Sequence, residues 1–292
     1  MPTIAEKRVF TKRDDVVRAL VASSMGVVGV SLSGDIVGEF GIEHRCDARD
    51  VAARGDAVAV ATDEDVLVGD FEPTGHGPAV AVGVADEGVI AAAPDGAVSV
   101  LASDADADGS NADNADADDD VWTAVGSVDD PRRLDGRLVA AADGVHRLAD
   151  GSLEYAGLDD ARDVSDRGVP LAVTDEALYT LGNGWMRDLD PADDETTDPG
   201  VQAGPGFRCV AADGGGERAV AATGAALYER ADATATDWVR HDESGVVDAA
   251  FAGRHLVAVT GGGEARVYAD GGWRGRTLGL PEVRAVAVPG DH

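Results

Sequence analysis

Apolar residues along this chain fall in short runs that break at a polar tip and resume, and the break recurs at a regular distance. Residues 57–68 read AVAVATDEDVLV, a run of small and β-branched side chains, a polar tip and a second apolar run. Comparable stretches are ALVASSMGVVGV (19–30), VIAAAPDGAVSV (89–100), LVAAADGVHRL (138–148), LAVTDEALYTL (171–181), AVAATGAALYER (219–230) and LVAVTGGGEARVY (256–268). Runs of this length bounded by Asp-Gly, Thr-Gly and similar pairs predict hairpins. The 3.6-residue period of an amphipathic helix is not sustained anywhere for long. With Ser23, Thr62, Pro94, Ala142, Thr174, Thr223 and Thr260 as equivalent points, the steps are 39, 32, 48, 32, 49 and 37 residues. A period near 40 built of short strands is that of a propeller blade of four antiparallel strands.

The remaining two strands of each unit can be placed. An inner strand precedes each hairpin at ARDVAA (48–53), AVAVGV (79–84), DPRRL (130–134), ARDVSD (161–166), FRCVAA (207–212) and VVDAAF (246–251). The first hairpin has none, and a seventh copy, VRAVAV at 283–288, follows the last hairpin. The C-terminal run is therefore expected to supply the innermost strand of the N-terminal blade, which closes the ring and removes its open edges. Phe40, Phe71, Trp122, Tyr155, Trp185, Trp238 and Trp273 mark the outer strands. The second blade is short there, and the tryptophans are expected to anchor blade against blade. The fold predicted is an all-β, seven-bladed propeller in one domain.

Composition fits this picture and adds one fact. Of 292 residues, 44% are hydrophobic and only 4% aromatic, so the core must be built from Ala, Val and Leu. The formal charge is −31, and Lys7 and Lys12 are the only lysines among 24 basic residues. Such self-repulsion is tolerable where concentrated salt shortens the screening length. Clustered basic charge for binding phosphate backbones is missing, which disfavours nucleic acid. No apolar stretch reaches signal-peptide or membrane-span length, so a cytoplasmic protein off the membrane is expected. The acidic tract SDADADGSNADNADADDD, about 103–120, reads as a disordered insertion between the third and fourth strands of blade three, and 190–206 as a long loop. Asp104, Asp106, Asp108 and Gly109 match half of a calcium loop, but its twelfth position is Ala115. A bidentate Glu is required there.

The repeated nonapeptides DARDVAARG (47–55) and DARDVSDRG (160–168) carry the candidate chemistry. Arg49, Arg162, Arg208 and Arg284 hold matching positions at the start of inner strands, with Arg132 or Arg133 equivalent in blade four. In a chain poor in positive charge, guanidinium groups gathered at one channel mouth suit an anionic ligand or an acidic element of a partner. The competing expectation is internal pairing with Asp50, Asp163 and Asp248 between adjacent blades. Acidic tips at Asp63, Glu64, Asp65, Asp95, Asp143, Asp175 and Glu176 share that face and are favoured in turns for local reasons. The acidic insertion is placed on the opposite face. Cys46 and Cys209 offer no disulfide framework, the six histidines no metal spacing, and no nucleophile elbow or phosphate loop is present.

The repeats, the closing strand and the composition together resemble the uncharacterised β-propeller proteins of halophilic archaea, over about Val16 to Pro289. The WD and GH signatures of WD40 repeats are missing. The resemblance implies the fold and carries no catalytic or binding residue. The expected function is a non-catalytic interaction or scaffold propeller, monomeric and without a cofactor, whose partner is an unidentified protein. An anion-sensing or small-ligand module at the arginine mouth is the alternative. A metal-dependent hydrolase or lactonase-type enzyme stands third.

Overall fold

The computed structural model describes residues 16–102, 122–191, 206–232 and 237–290. Seven four-stranded antiparallel sheets follow one another along the chain, each with its strands in meander order. We number the blades 1 to 7 and letter their strands a to d from the axis outward. The inner strands of blades 2 to 7 are Ala48–Arg54, Ala81–Ala85, Pro131–Asp135, Asp163–Ser165, Phe207–Ala212 and Val246–Ala252. Blade 1 takes its inner strand, Ala285–Ala287, from the other end of the chain. That strand lies antiparallel to Val16–Ser23, pairing Leu20 with Ala287, Val21 with Val286 and Ala22 with Ala285. The seven-bladed ring expected from the hairpin spacing, with its C-terminal closure, is the observed fold.

Why the second strands read as near-continuous apolar runs follows from this geometry. A strand alternates its side chains between two faces, and in a ring each face meets another blade. Leu20 and Ala22 pack against blade 2, whereas Ala19 and Val21 pack against blade 7. Among the described residues the core divides into seven apolar clusters, one at each blade-to-blade junction. Ala and Val dominate these clusters because the blades stand close together near the axis. The tryptophans tie the outer strands across the same junctions: Trp122 Nε1 donates to Thr74 Oγ1 of blade 2 at 3.2 Å, and Trp185 Nε1 to the carbonyl of Ala156 in blade 4 at 3.0 Å. Blade 2 does end in a short outer strand, Glu72–Pro73.

The hydroxyl at the repeat anchor also has a cause. Thr62 Oγ1 donates to the carbonyl of Asp65 at 2.7 Å and accepts the N–H of Glu64 and Asp65, closing the b–c turn; Ser23 and Thr223 do the same with Gly26 and Ala226. A side-chain oxygen that binds backbone two or three residues on fixes a tight turn. These turns mark the upper face of the disc. The a–b and c–d turns mark the lower face, where strands Ala97–Ala102 and Trp122–Ser127 flank the acidic tract. The tract itself, its partial calcium motif, and residues 192–205 of the 190–206 loop lie outside the described residues.

Removing residues 282–292 takes away the closing strand with buried Val283, Val286 and Val288. At about 1.5–3 kcal/mol per buried valine, the truncated chain is expected to melt roughly 10 °C lower. Circular dichroism and size exclusion check this, with new oligomers expected from the uncovered edge of Val16–Ser23.

Candidate functional site

Four of the seven inner strands enter the ring through one irregular residue. The register slips between Ala48 and Asp50, Pro131 and Arg133, Phe207 and Cys209, and Val246 and Asp248, so that Arg49, Arg132, Arg208 and Val247 are bulged out of the ladder. The bulge re-aims neighbouring side chains. The bulged residue turns to the upper rim, and the next one enters the channel. Arg132 is therefore the counterpart of Arg49, whereas Arg133 is the counterpart of Asp50.

The residues at this matching strand position read Ala285, Asp50, Ala81, Arg133, Asp163, Cys209 and Asp248 from blade 1 to blade 7, and the four charged ones line the channel. All three carboxylates are buried, and they follow one plan. Asp50 Oδ1 accepts the N–H of Val51 at 3.0 Å, while Oδ2 accepts that of Val82 in blade 3 at 3.1 Å. Asp163 spans Val164 and Val210 of blade 6, both at 2.8 Å. Asp248 spans Ala249 at 2.9 Å and Val286 of blade 1 at 2.8 Å. In each case the next blade holds a small side chain at the matching place (Ala81, Cys209 or Ala285), which leaves room for the carboxylate to cross. The repeated Asp is thus a clamp between blades.

Arg133 supplies the counter-charge. Its Nη1 meets Asp50 Oδ1, and its Nη2 donates to the carbonyl of Arg284 at 2.6 Å and stands 3.6 Å from Asp248 Oδ2. Blade 4 is thereby tied across the channel to blades 1, 2 and 7. Burial pushes Asp50 up to about 6 against the pull of Arg133, and also raises Asp248 and, further, Asp163. Burial works against the charge of Arg133, but Asp248, Asp50 and Asp163 outweigh it and hold the guanidinium protonated. Burial, with Asp248 and Asp163 nearby, raises the Cys209 thiol well above its usual range, so it remains a neutral packing group. The space between these groups is a cavity of about 110 Å³.

Of the arginines singled out in the sequence, only Arg133 pairs with the channel carboxylates Asp50 and Asp248; the rim arginines that pair internally do so with other aspartates. Alternation along the strand sends the arginine and the following aspartate to different places. Arg132 bridges to blade 5 through Asp160 Oδ1 (2.7 Å) and the carbonyl of Ala161 (2.9 Å). Arg284 bridges to blade 2 through Asp47 (2.5 Å) and the carbonyl of Ala48 (2.9 Å). Arg162 grips Asp175 of its own b–c turn with two bonds, at 3.0 and 2.5 Å, which puts the strand-a starts and the acidic tips on one face. Arg49 and Arg208 have no hydrogen bond or ion pair among the described residues. Arg132, Arg133, Arg162 and Arg208 do line one upper cavity of about 420 Å³ with Asp175, Gly206 and Phe207, whereas Arg49 and Arg284 lie outside it.

Among the described residues, no three of His, Cys, Asp and Glu stand together as a metal-binding group, and no helix is long and apolar enough to cross a membrane. Sequence reading missed a second gathering of arginines on the lower face, where Arg54, Arg137 and Arg147 line a cavity of about 330 Å³. They come from unlike positions in the repeat, and no spacing signals them.

A closed ring of seven four-stranded blades with a charge-clamped channel defines the β-propeller class. The model of the HVO_0234-like beta-propeller family matches residues 3–289, and the chain belongs to that family. A comparison with curated proteins finds no match. Among solved structures, a functionally unknown protein from Desulfotomaculum acetoxidans superposes with a TM-score of 0.64 at 10% identity, covering 94% of this chain and 100% of that one. The WD40 propeller domain of Doa1 gives 0.57 at 15%, covering 80% and 84%. A chain of a nidogen/laminin complex gives 0.56 at 9%, covering 93% and 98%. These similarities concern the fold alone.

Two outcomes are expected of the channel. Because Asp50 binds its proton more tightly folded than unfolded, its contribution to stability is complete below about pH 4 and is lost as pH rises through about 6; Asp50→Asn should flatten that part of the stability curve, measured by urea unfolding. Arg133→Met leaves three buried carboxylates without a counter-ion and is expected to cost about 3–5 kcal/mol at pH 7, and less at pH 5, where protonation relieves the repulsion.

Proposed function

We propose that this protein is a non-catalytic interaction platform of a salt-rich cytosol, which presents a partner protein with the rims of a rigid disc. The observation that carries this reading is the state of the channel. Its titratable carboxylates already hold neighbouring blades together, and their oxygens accept backbone N–H groups from two blades at once. The turns on a rigid scaffold are then the surface open to recognition. On the upper rim, Arg49 and Arg208 stand without ion pairs among the described residues and share that face with acidic tips such as Asp63 and Asp95, a mixed pattern that suits a charged protein surface. Tagged protein is expected to recover a stoichiometric partner from a salt-rich lysate, and Arg49→Glu with Arg208→Glu to lower that recovery at least tenfold. Recovery of no stoichiometric partner contradicts the reading.

A second reading, an anion-binding module at the upper mouth, draws support from the cavity lined by Arg132, Arg133, Arg162 and Arg208. Its weakness is that Arg132 and Arg162 are held by short bonds to Asp160 and Asp175, so an anion must displace well-made pairs. Titration of wild type against Arg162→Ala with Arg208→Ala decides it, and unchanged affinity counts against the module. Among the described residues, no metal-binding grouping favours the hydrolase or lactonase reading.

A further inference from the structure

The lower face holds a second group of arginines, loosely paired and drawn from two blades. Arg54 ends the inner strand of blade 2, Arg137 stands in the a–b turn of blade 4, and Arg147 lies in the third strand of that blade, Gly144–Ala149. They line one groove of about 330 Å³, together with Asp86, Asp166, Pro170 and Leu181. Part of its wall is backbone at Gly168, which stands so close to Gly216 of blade 6 that a Cβ there would sit 2.6 Å from Gly216 Cα. The groove therefore combines a partly apolar wall with guanidinium groups from two blades.

What separates this groove from the upper mouth is how its arginines are paired. In the upper cavity Arg162 and Arg132 hold Asp175 and Asp160 at 2.5–3.0 Å, with Asp130 at 3.5 Å from Arg132, and only Arg208 lacks a partner among the described residues. Below, Arg54 Nε is 3.6 Å from Asp86, whose side chain is 91% exposed. Arg137 Nη1 is 3.4 Å from Glu87, with both side chains nearly half exposed, and its Nε is 4.0 Å from Asp166. Arg147 is exposed and has no hydrogen bond or ion pair among the described residues. Solvated pairs at such distances contribute at most about 1 kcal/mol, so Asp86 and Glu87 can swing into solvent at little cost. Asp166 stays, because its Oδ2 accepts the N–H of Arg137 at 2.9 Å. Once the two tips have turned away, three cations face one anchored carboxylate. In a chain of charge −31, that is a local reversal of sign.

We propose that this lower groove binds a small polyanion, one whose phosphate or carboxylate oxygens engage Arg54, Arg137 and Arg147 through the forked geometry of the guanidinium group. The site is separate from the upper rim and independent of the platform reading.

Calorimetric titration of the full chain with inorganic pyrophosphate and, separately, with citrate tests the site and distinguishes phosphate from carboxylate recognition. Wild type is expected to bind at least one of the two, with affinity falling as salt rises. Arg54→Ala with Arg147→Ala should weaken it tenfold or more, while Arg208→Ala on the opposite face leaves it unchanged. Asp86→Ser with Glu87→Gln should tighten it several-fold, since the competing carboxylates are gone, a gain that a merely structural role of the arginines does not produce. Circular dichroism confirms that each variant is folded. Absence of binding by either probe to folded protein overturns the proposal. So does binding that survives loss of Arg54 and Arg147 but disappears with Arg208→Ala.

Discussion

The structure depends on one constraint: seven sheets stand around an axis so closely that the polar backbone of their inner strands must find partners inside the ring. An inner strand has a neighbour on one side only, and its other edge faces a channel too narrow to be a true solvent. Buried N–H groups left alone there would each cost about 1–3 kcal/mol. Asp50, Asp163 and Asp248 meet that need at three junctions by reaching to Val82, Val210 and Val286. Arg132 and Arg284 tie two more junctions from the rim. Arg133 crosses the channel and offsets part of the charge that the carboxylates bring in.

On the platform reading the same constraint makes the channel a structural element, in which the carboxylates of Asp50, Asp163 and Asp248 each accept N–H groups from two blades. Their elevated proton affinity comes from burial in a structural clamp. The rims are different. There the pairs vary from bidentate to loose, and the two faces carry distinct chemistry: acidic tips above, with Arg132 and Arg162 gripped and Arg49 and Arg208 unpaired among the described residues, and loosely held arginines below.

Much of this was legible in the sequence, for a physical reason. Blade number and closure follow from hairpin spacing and from the inner-strand copy displaced to 283–288, because a ring imposes the same short strands at each turn. The anchor hydroxyls of Thr62 and Thr223 recur because they close the b–c turn of their blades, whereas Pro94 and Ala142 hold that place without one. The arginines of the repeated nonapeptide were visible, but not their destinations: a single bulge decides that Arg132 goes to the rim and Arg133 to the channel, and two adjacent arginines give no sign of it. A readable signal did exist for the clamps, since each inward Asp is followed in the next blade by Ala81, Cys209 or Ala285. The lower groove left no trace, as it is assembled from a strand end, a turn and a third strand.

Amide hydrogen exchange followed by NMR tests the clamp most directly. The amides of Val82, Val210 and Val286 should exchange only through global unfolding, and Asp163→Ala should accelerate Val210 by far more than Val82 or Val286. If Val210 keeps its protection in that variant, or is already fast in wild type, then the carboxylate does not hold blade 5 to blade 6 and the structural reading of the channel fails.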